Sequence, residues 1–106
     1  MAWIILGIAV VTEIIWALSL KWAATTGTWQ AAAVPIVLSF LNMALLALAM
    51  RDIPAGTAYA IWTGLGAVGV IIGGVILFGD KVSLVQAAFM ALIVIGVVGT
   101  KLNASV

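Results

Sequence analysis

Four long apolar runs leave this chain almost no alternative to crossing a lipid bilayer. They extend over about residues 3–20, 31–50, 55–78 and 84–102, and a helix needs about 20 apolar residues to span the hydrocarbon core. Between them lie Lys21 to Gln30, Arg51-Asp52-Ile53-Pro54 and Gly79-Asp80-Lys81-Val82-Ser83. These connectors carry the charge, glycine and proline that turns require. The runs do not alternate in polarity, so barrel strands are excluded and only helices can satisfy the backbone in lipid. The expected fold is an all-α membrane protein, one multi-pass domain over residues 1–106 with four short transmembrane helices. The first run is not expected to be a cleaved signal, because Met1-Ala2 has no side-chain cation and Glu13 interrupts the apolar stretch.

Composition narrows the chemistry. Only 7% of the residues are charged, against about 25% in a typical soluble domain. There is no Cys and no His, which removes disulfides, thiolate nucleophiles, imidazole proton relays and most transition-metal sites. No metal, no cofactor and no enzymatic role is expected. A net charge of +1 gives no basic patch for nucleic acid. The lipid bilayer is the expected environment.

Glu13 is the residue around which function is argued. It lies near the middle of the first span, where a carboxylate costs about 2.5–3.5 kcal/mol on insertion scales. Intramembrane acids face bundle interiors or water-filled paths and mark ion routes. The alternative is an acid that merely hydrogen-bonds a neighbouring helix. No Lys or Arg lies at matching depth to neutralise it, so its expected partners are a mobile cation and a proton. A carboxylate that holds one or the other, never both, exchanges the two by competition.

Other polar and aromatic residues fall at similar depth. Helical spacing places Ala9, Val10, Trp16, Ala17 and Leu20 on the face of Glu13. Asn42 sits near the middle of the second span with Ser39 on its face, either as an interhelical hydrogen-bonding group or as part of a site. Tyr59 and Trp62 share a face of the third span with Gly66. Thr12 and Ser19 lie off the Glu13 face, and such hydroxyls usually bond back to their own helix.

Gly64-Leu65-Gly66-Ala67-Val68-Gly69 matches a dinucleotide-binding fingerprint by letter. It stands inside an apolar span rather than at a strand-to-helix turn, so Gly64, Gly66 and Gly69 are read as points of close helix approach. In the fourth span Gly96 and Thr100 form a small-xxx-small pair, read as a helix-packing seam and a dimer contact. Lys101 lies just inside that span, and the other cations are expected to reach the headgroups.

Orientation follows from counting Lys and Arg. With four spans, Arg51 and Lys101 share one side of the membrane, and Lys21 and Lys81 share the other. Two against two gives the positive-inside rule nothing to act on. Insertion in both directions, and pairing of a second copy in inverted orientation, are therefore expected. Transporters commonly bind substrate at the midplane between inverted repeats, and no internal repeat is present here, so the inverted copy would supply the missing half.

Four short spans, Glu13 in the first, Trp16 three positions later, Lys21 closing that run, and the segment Pro54-Ala55-Gly56-Thr57-Ala58-Tyr59-Ala60-Ile61-Trp62-Thr63-Gly64 resemble the small multidrug resistance family over the whole chain. Glu13-Ile14-Ile15-Trp16-Ala17-Leu18-Ser19-Leu20-Lys21 and the late Lys101 resemble its guanidinium-exporter branch. The quaternary-ammonium branch has a small residue where Trp16 stands. The resemblance implies an antiparallel homodimer in the bacterial inner membrane that exports a guanidinium-type cation in exchange for protons. It implies Glu13 as the shared proton and substrate ligand, with Trp16, Asn42, Tyr59 and Trp62 around it and Val10, Ser39, Thr63 and Lys101 as further candidates. Val10 and Asn42 depart from the pattern, which usually has Gly and Ser there. The alternatives are a broader exporter of lipophilic or quaternary ammonium cations and, in another class, a non-transporting membrane interaction subunit.

Overall fold

The computed structural model describes residues 1–104 as four helices. They are α1 (Ala2–Thr26), α2 (Trp29–Ala49), α3 (Ala55–Phe78) and α4 (Leu84–Leu102). All four are long and apolar enough to cross a membrane. The bounds of α3 and α4 match the expected runs. The first connector does not: of Lys21–Gln30, only Gly27 and Thr28 lie outside helix. The expectation treated Lys21 as a boundary because it is charged. A helix has no reason to stop there, since Lys and Trp side chains span the boundary between lipid and water.

The real stop is conformational. Thr25 Oγ1 donates to the carbonyls of Lys21 and Trp22 at 3.1 and 3.0 Å. Gly27 then takes φ 76° and donates its N–H to Ala23 O, a left-handed cap that suits glycine. Thr28 opens α2 by accepting from the Ala31 N–H at 3.2 Å, and Ser83 opens α4 by accepting from Gln86 at 3.0 Å, both as N-cap hydroxyls do. Gly79, φ 68°, closes α3.

The helices are apolar on nearly every face, so no stripe marks an inside. They form a layer about one helix thick, with principal extents of 44 × 35 × 16 Å. α1 packs against α2 on one side and α3 on the other, and α4 packs on α3, reaching α1 through Lys101 over the Trp3 ring. Glycine permits the α1–α3 approach. A Cβ on Gly66 would strike the Glu13 carboxylate, one on Gly69 would strike Ile14, and one on Gly73 would strike Leu18. Gly64 lies in the same way against Val97 and Ile93 of α4. By contrast, Gly96 has open space beside it, and the Thr100 hydroxyl donates to Gly96 O within α4.

The two ends of the layer differ. At the Arg51 end, Leu6, Ala49, Ile53, Ala58, Ile61 and Val97 form a buried cluster with Trp3 and Trp62 packed on it. Ile53, in the α2–α3 connector, is 2% exposed and seals that end. At the Lys21 end, the surface opens into grooves. One of about 250 Å³ runs between α1 and α2 past Trp16, Leu20, Ala23 and Pro35. Another, of about 400 Å³, lies between α1 and α3 beside Trp22 and Phe78.

Candidate functional site

Glu13 sits in the middle of α1, which has α2 on one side and α3 on the other. Its carboxylate turns toward α3 and rests against the Gly66 backbone, where any larger residue would occupy its place. Its Oε2 is buried and has no hydrogen-bond partner. A buried carboxylate oxygen without a donor is costly, and the close glycine shows that the neighbouring helix yields it room rather than a counter-charge.

The two tryptophans near Glu13 are tied down elsewhere. Trp16 Nε1 donates to Ser39 Oγ on α2 at 2.8 Å, and Ser39 Oγ donates to the carbonyl of Pro35 at 2.9 Å. Trp62 Nε1 on α3 donates to Ala9 O on α1 at 3.3 Å. In a regular helix, Ala9 O also accepts the backbone N–H of Glu13, four residues on. Thus α2 and α3 are each stitched to α1 within a turn of Glu13, and neither indole N–H is spent on its carboxylate. Tyr59 packs against Trp62, with ring centroids 5.6 Å apart and planes at 45°, and leaves half its surface exposed.

Between these helices lies a groove of about 230 Å³ lined by Trp16, Ser39, Asn42, Met43 and Trp62. It brings together one residue of α1, three of α2 and one of α3. Asn42 is 4% exposed, and its Oδ1, like Glu13 Oε2, is buried without a partner. Val10 is buried one turn before Glu13. Thr12 donates to Ile8 O and Ser19 to Trp16 O, so both hydroxyls are satisfied inside α1, as expected of residues off the site face. Thr63 is exposed. Lys101 places its ammonium 4.9 Å from the ring centre of Trp3. Trp3 is ten residues from Glu13, or about 15 Å of helical rise, so Lys101 belongs to the packed end and not to this group.

Sequence reasoning passed over Pro35 and Met43. Pro35 is buried inside α2 and lacks the N–H that would bond the carbonyl of Ala31. It stands four residues before Ser39, a spacing at which a hydroxyl returns to the backbone, and that was the available signal. The Gly66–Glu13 contact had a weaker one, a glycine on the Tyr59–Trp62 face.

The groove itself offers the Asn42 amide and the rings of Trp16 and Trp62, while the Glu13 carboxylate lies against Gly66 and Tyr59 packs on Trp62, outside the residues that line it. Such a set can hold an organic cation: oxygens accept its N–H groups and ring faces attract its charge.

Comparison with known proteins identifies the family. The family model described as "Small Multidrug Resistance protein" matches residues 1–93. The chain is similar to the protein named "Guanidinium exporter" from Escherichia coli (strain K12), 44% identical over 103 residues, covering 97% of this chain and 98% of the relative. It is also similar to the proteins of that name from Yersinia pseudotuberculosis, 45% identical over 102 residues covering 96% and 98%, and Salmonella typhimurium, 44% identical over 104 residues covering 98% and 99%. With the family matched over most of its length and these relatives spanned almost end to end, this chain is a multi-pass, all-α membrane protein of the small multidrug resistance family.

Proposed function

We propose that the protein exports guanidinium or small substituted guanidinium ions in exchange for protons, with no enzymatic step. The observation that carries this reading is the mid-span Glu13 carboxylate with a buried, unpartnered Oε2. A planar guanidinium presents pairs of N–H groups to a carboxylate, and its weakly hydrated faces suit the walls formed by Trp16, Tyr59 and Trp62. The relatives, named guanidinium exporters, support the same substrate class. Protonation of Glu13 removes the charge that holds the cation, so proton and substrate bind alternately. Ser39, Val10 and Thr63 would shape the approach to that acid.

The working unit in this reading is two identical chains in inverted orientation. The slab is thin, its grooves are open and α4 exposes Phe89, Leu92 and Ile95, so a second copy would close the site. The even Lys and Arg count supports insertion both ways. Asp52→Lys alone should bias every copy one way and abolish transport. Co-expression with Asp80→Lys, biased the other way, should restore it. Full activity of Asp52→Lys with a single measured topology would end the inverted-pair account.

Substrate class is tested in liposomes by comparing ions. Guanidinium gradients should drive proton movement at least about tenfold faster than gradients of a tetraalkylammonium ion, which offers no N–H and can use only the aromatic faces. The reverse ranking favours a broad lipophilic-cation exporter. Silence with both ions favours an interaction subunit in which Glu13 serves helix association.

A further inference from the structure

Two acceptors in the middle of the layer are buried and lack a donor, and the reading above uses only one of them. Glu13 Oε2 has its role there; Asn42 Oδ1 does not. Side-chain hydroxyls at comparable depth on α1 and α2 are spent locally. Thr12, Ser19 and Ser39 donate to carbonyls of their own helices, and Ser39 also receives the Trp16 N–H. Asn42 makes no hydrogen bond among the described residues, although it is more than nine-tenths buried. Its side chain lines the groove shared with Trp16, Met43 and Trp62. A buried amide oxygen left unpaired costs stability, and the hydroxyls and indole N–H groups around it are committed to other acceptors. It is placed for a donor that arrives from outside.

We propose that Asn42 is a specificity-determining residue whose Oδ1 accepts an N–H of the bound cation, a second and uncharged acceptor in addition to Glu13. This rests on the guanidinium reading and deepens it. A guanidinium carries N–H groups on all three nitrogens. A carboxylate engages one edge, and the remaining N–H groups need acceptors once water is shed. Asn42 supplies one from α2, across the groove from α1. A quaternary ammonium ion has no N–H, so it would leave Oδ1 desolvated and unpaired, and a site built to pair a hydrogen bond rejects ligands that lack it. An amide also keeps its acceptor when Glu13 is protonated. It therefore sets which cation is held and leaves the competition with protons to the acid.

The test measures equilibrium binding to the purified, full-length protein by its tryptophan fluorescence, using guanidinium and a tetraalkylammonium ion as probes. Asn42→Leu, similar in size and without an acceptor, should weaken guanidinium binding about tenfold, the loss expected for one hydrogen bond from a charged donor. Tetraalkylammonium binding should be unchanged or tighter. Asn42→Ala, which removes the same acceptor without filling the groove, should rank the two ions in the same way if the leucine variant fails to assemble. A parallel loss for both ions marks Asn42 as merely structural, and no loss for either shows that Oδ1 accepts nothing from the ligand; either result overturns the proposal. Wild-type protein that binds no guanidinium would instead overturn the functional reading, and this inference with it.

Discussion

Glu13→Gln should abolish guanidinium-driven proton movement in liposomes while leaving the protein folded and inserted. Removing one partner of a buried, hydrogen-bonded charge pair costs about 2–5 kcal/mol, which is at least about thirtyfold in cation affinity. The exchange itself should fall further, because an amide cannot take up the proton that must travel the other way. Folding should not suffer. The carboxylate has an unpartnered buried oxygen, and an amide at mid-bilayer is less costly than an ionised acid. Stability equal to or above wild type, together with absent coupled flux, is the expected pair of results. Unchanged flux would show that the proton passes elsewhere.

Gly66→Ala should be nearly as severe through a different route. The added Cβ would occupy the space of the Glu13 carboxylate, so either the acid turns away from α3 or the helices part. Inserting a methyl group into a tight contact typically costs 1–3 kcal/mol, and displacing an acid by about 1 Å is enough to degrade a site that depends on its geometry. Transport should drop at least about tenfold and thermal stability should fall. Gly7→Ala is the matched control, since nothing lies within 4 Å of that position. Similar transport by the two variants would mean that the close approach of α3 does not position the acid.

The membrane-spanning fold was legible because lipid leaves a chain few options. Apolar length and the need to satisfy every backbone group internally lead directly to four helices. Gly79 and Ser83 punctuate α3 and α4 where expected. The end of α1 was not legible from charge, because Lys21 and Trp22 tolerate helical backbone at a boundary and only Gly27 stops it. The order of helices in the layer was also unread. Helices that are apolar all round carry no stripe to say which face meets which neighbour.

The site divides in the same way. Glu13 declares itself because an acid in lipid needs a reason. Trp16 and Trp62 stood at the right depth, yet their indole N–H groups go to Ser39 and the Ala9 carbonyl. One-dimensional spacing cannot choose among acceptors on other helices. The Gly64–Gly69 stretch proved to be packing surface rather than a nucleotide loop, and three glycines, Gly66, Gly69 and Gly73, admit α1. That role depends on which helix comes near.

The claim on which the account depends is that one carboxylate serves proton and cation in turn. Its most direct measurement is proton release on guanidinium binding, read in weakly buffered solution over about four pH units. Each guanidinium bound to protonated sites should expel protons. The apparent dissociation constant should rise toward tenfold per unit of falling pH, the limit for one competing proton, and Glu13→Gln should show neither effect. Guanidinium binding that releases no proton at any pH, with an affinity indifferent to acidity, would contradict it.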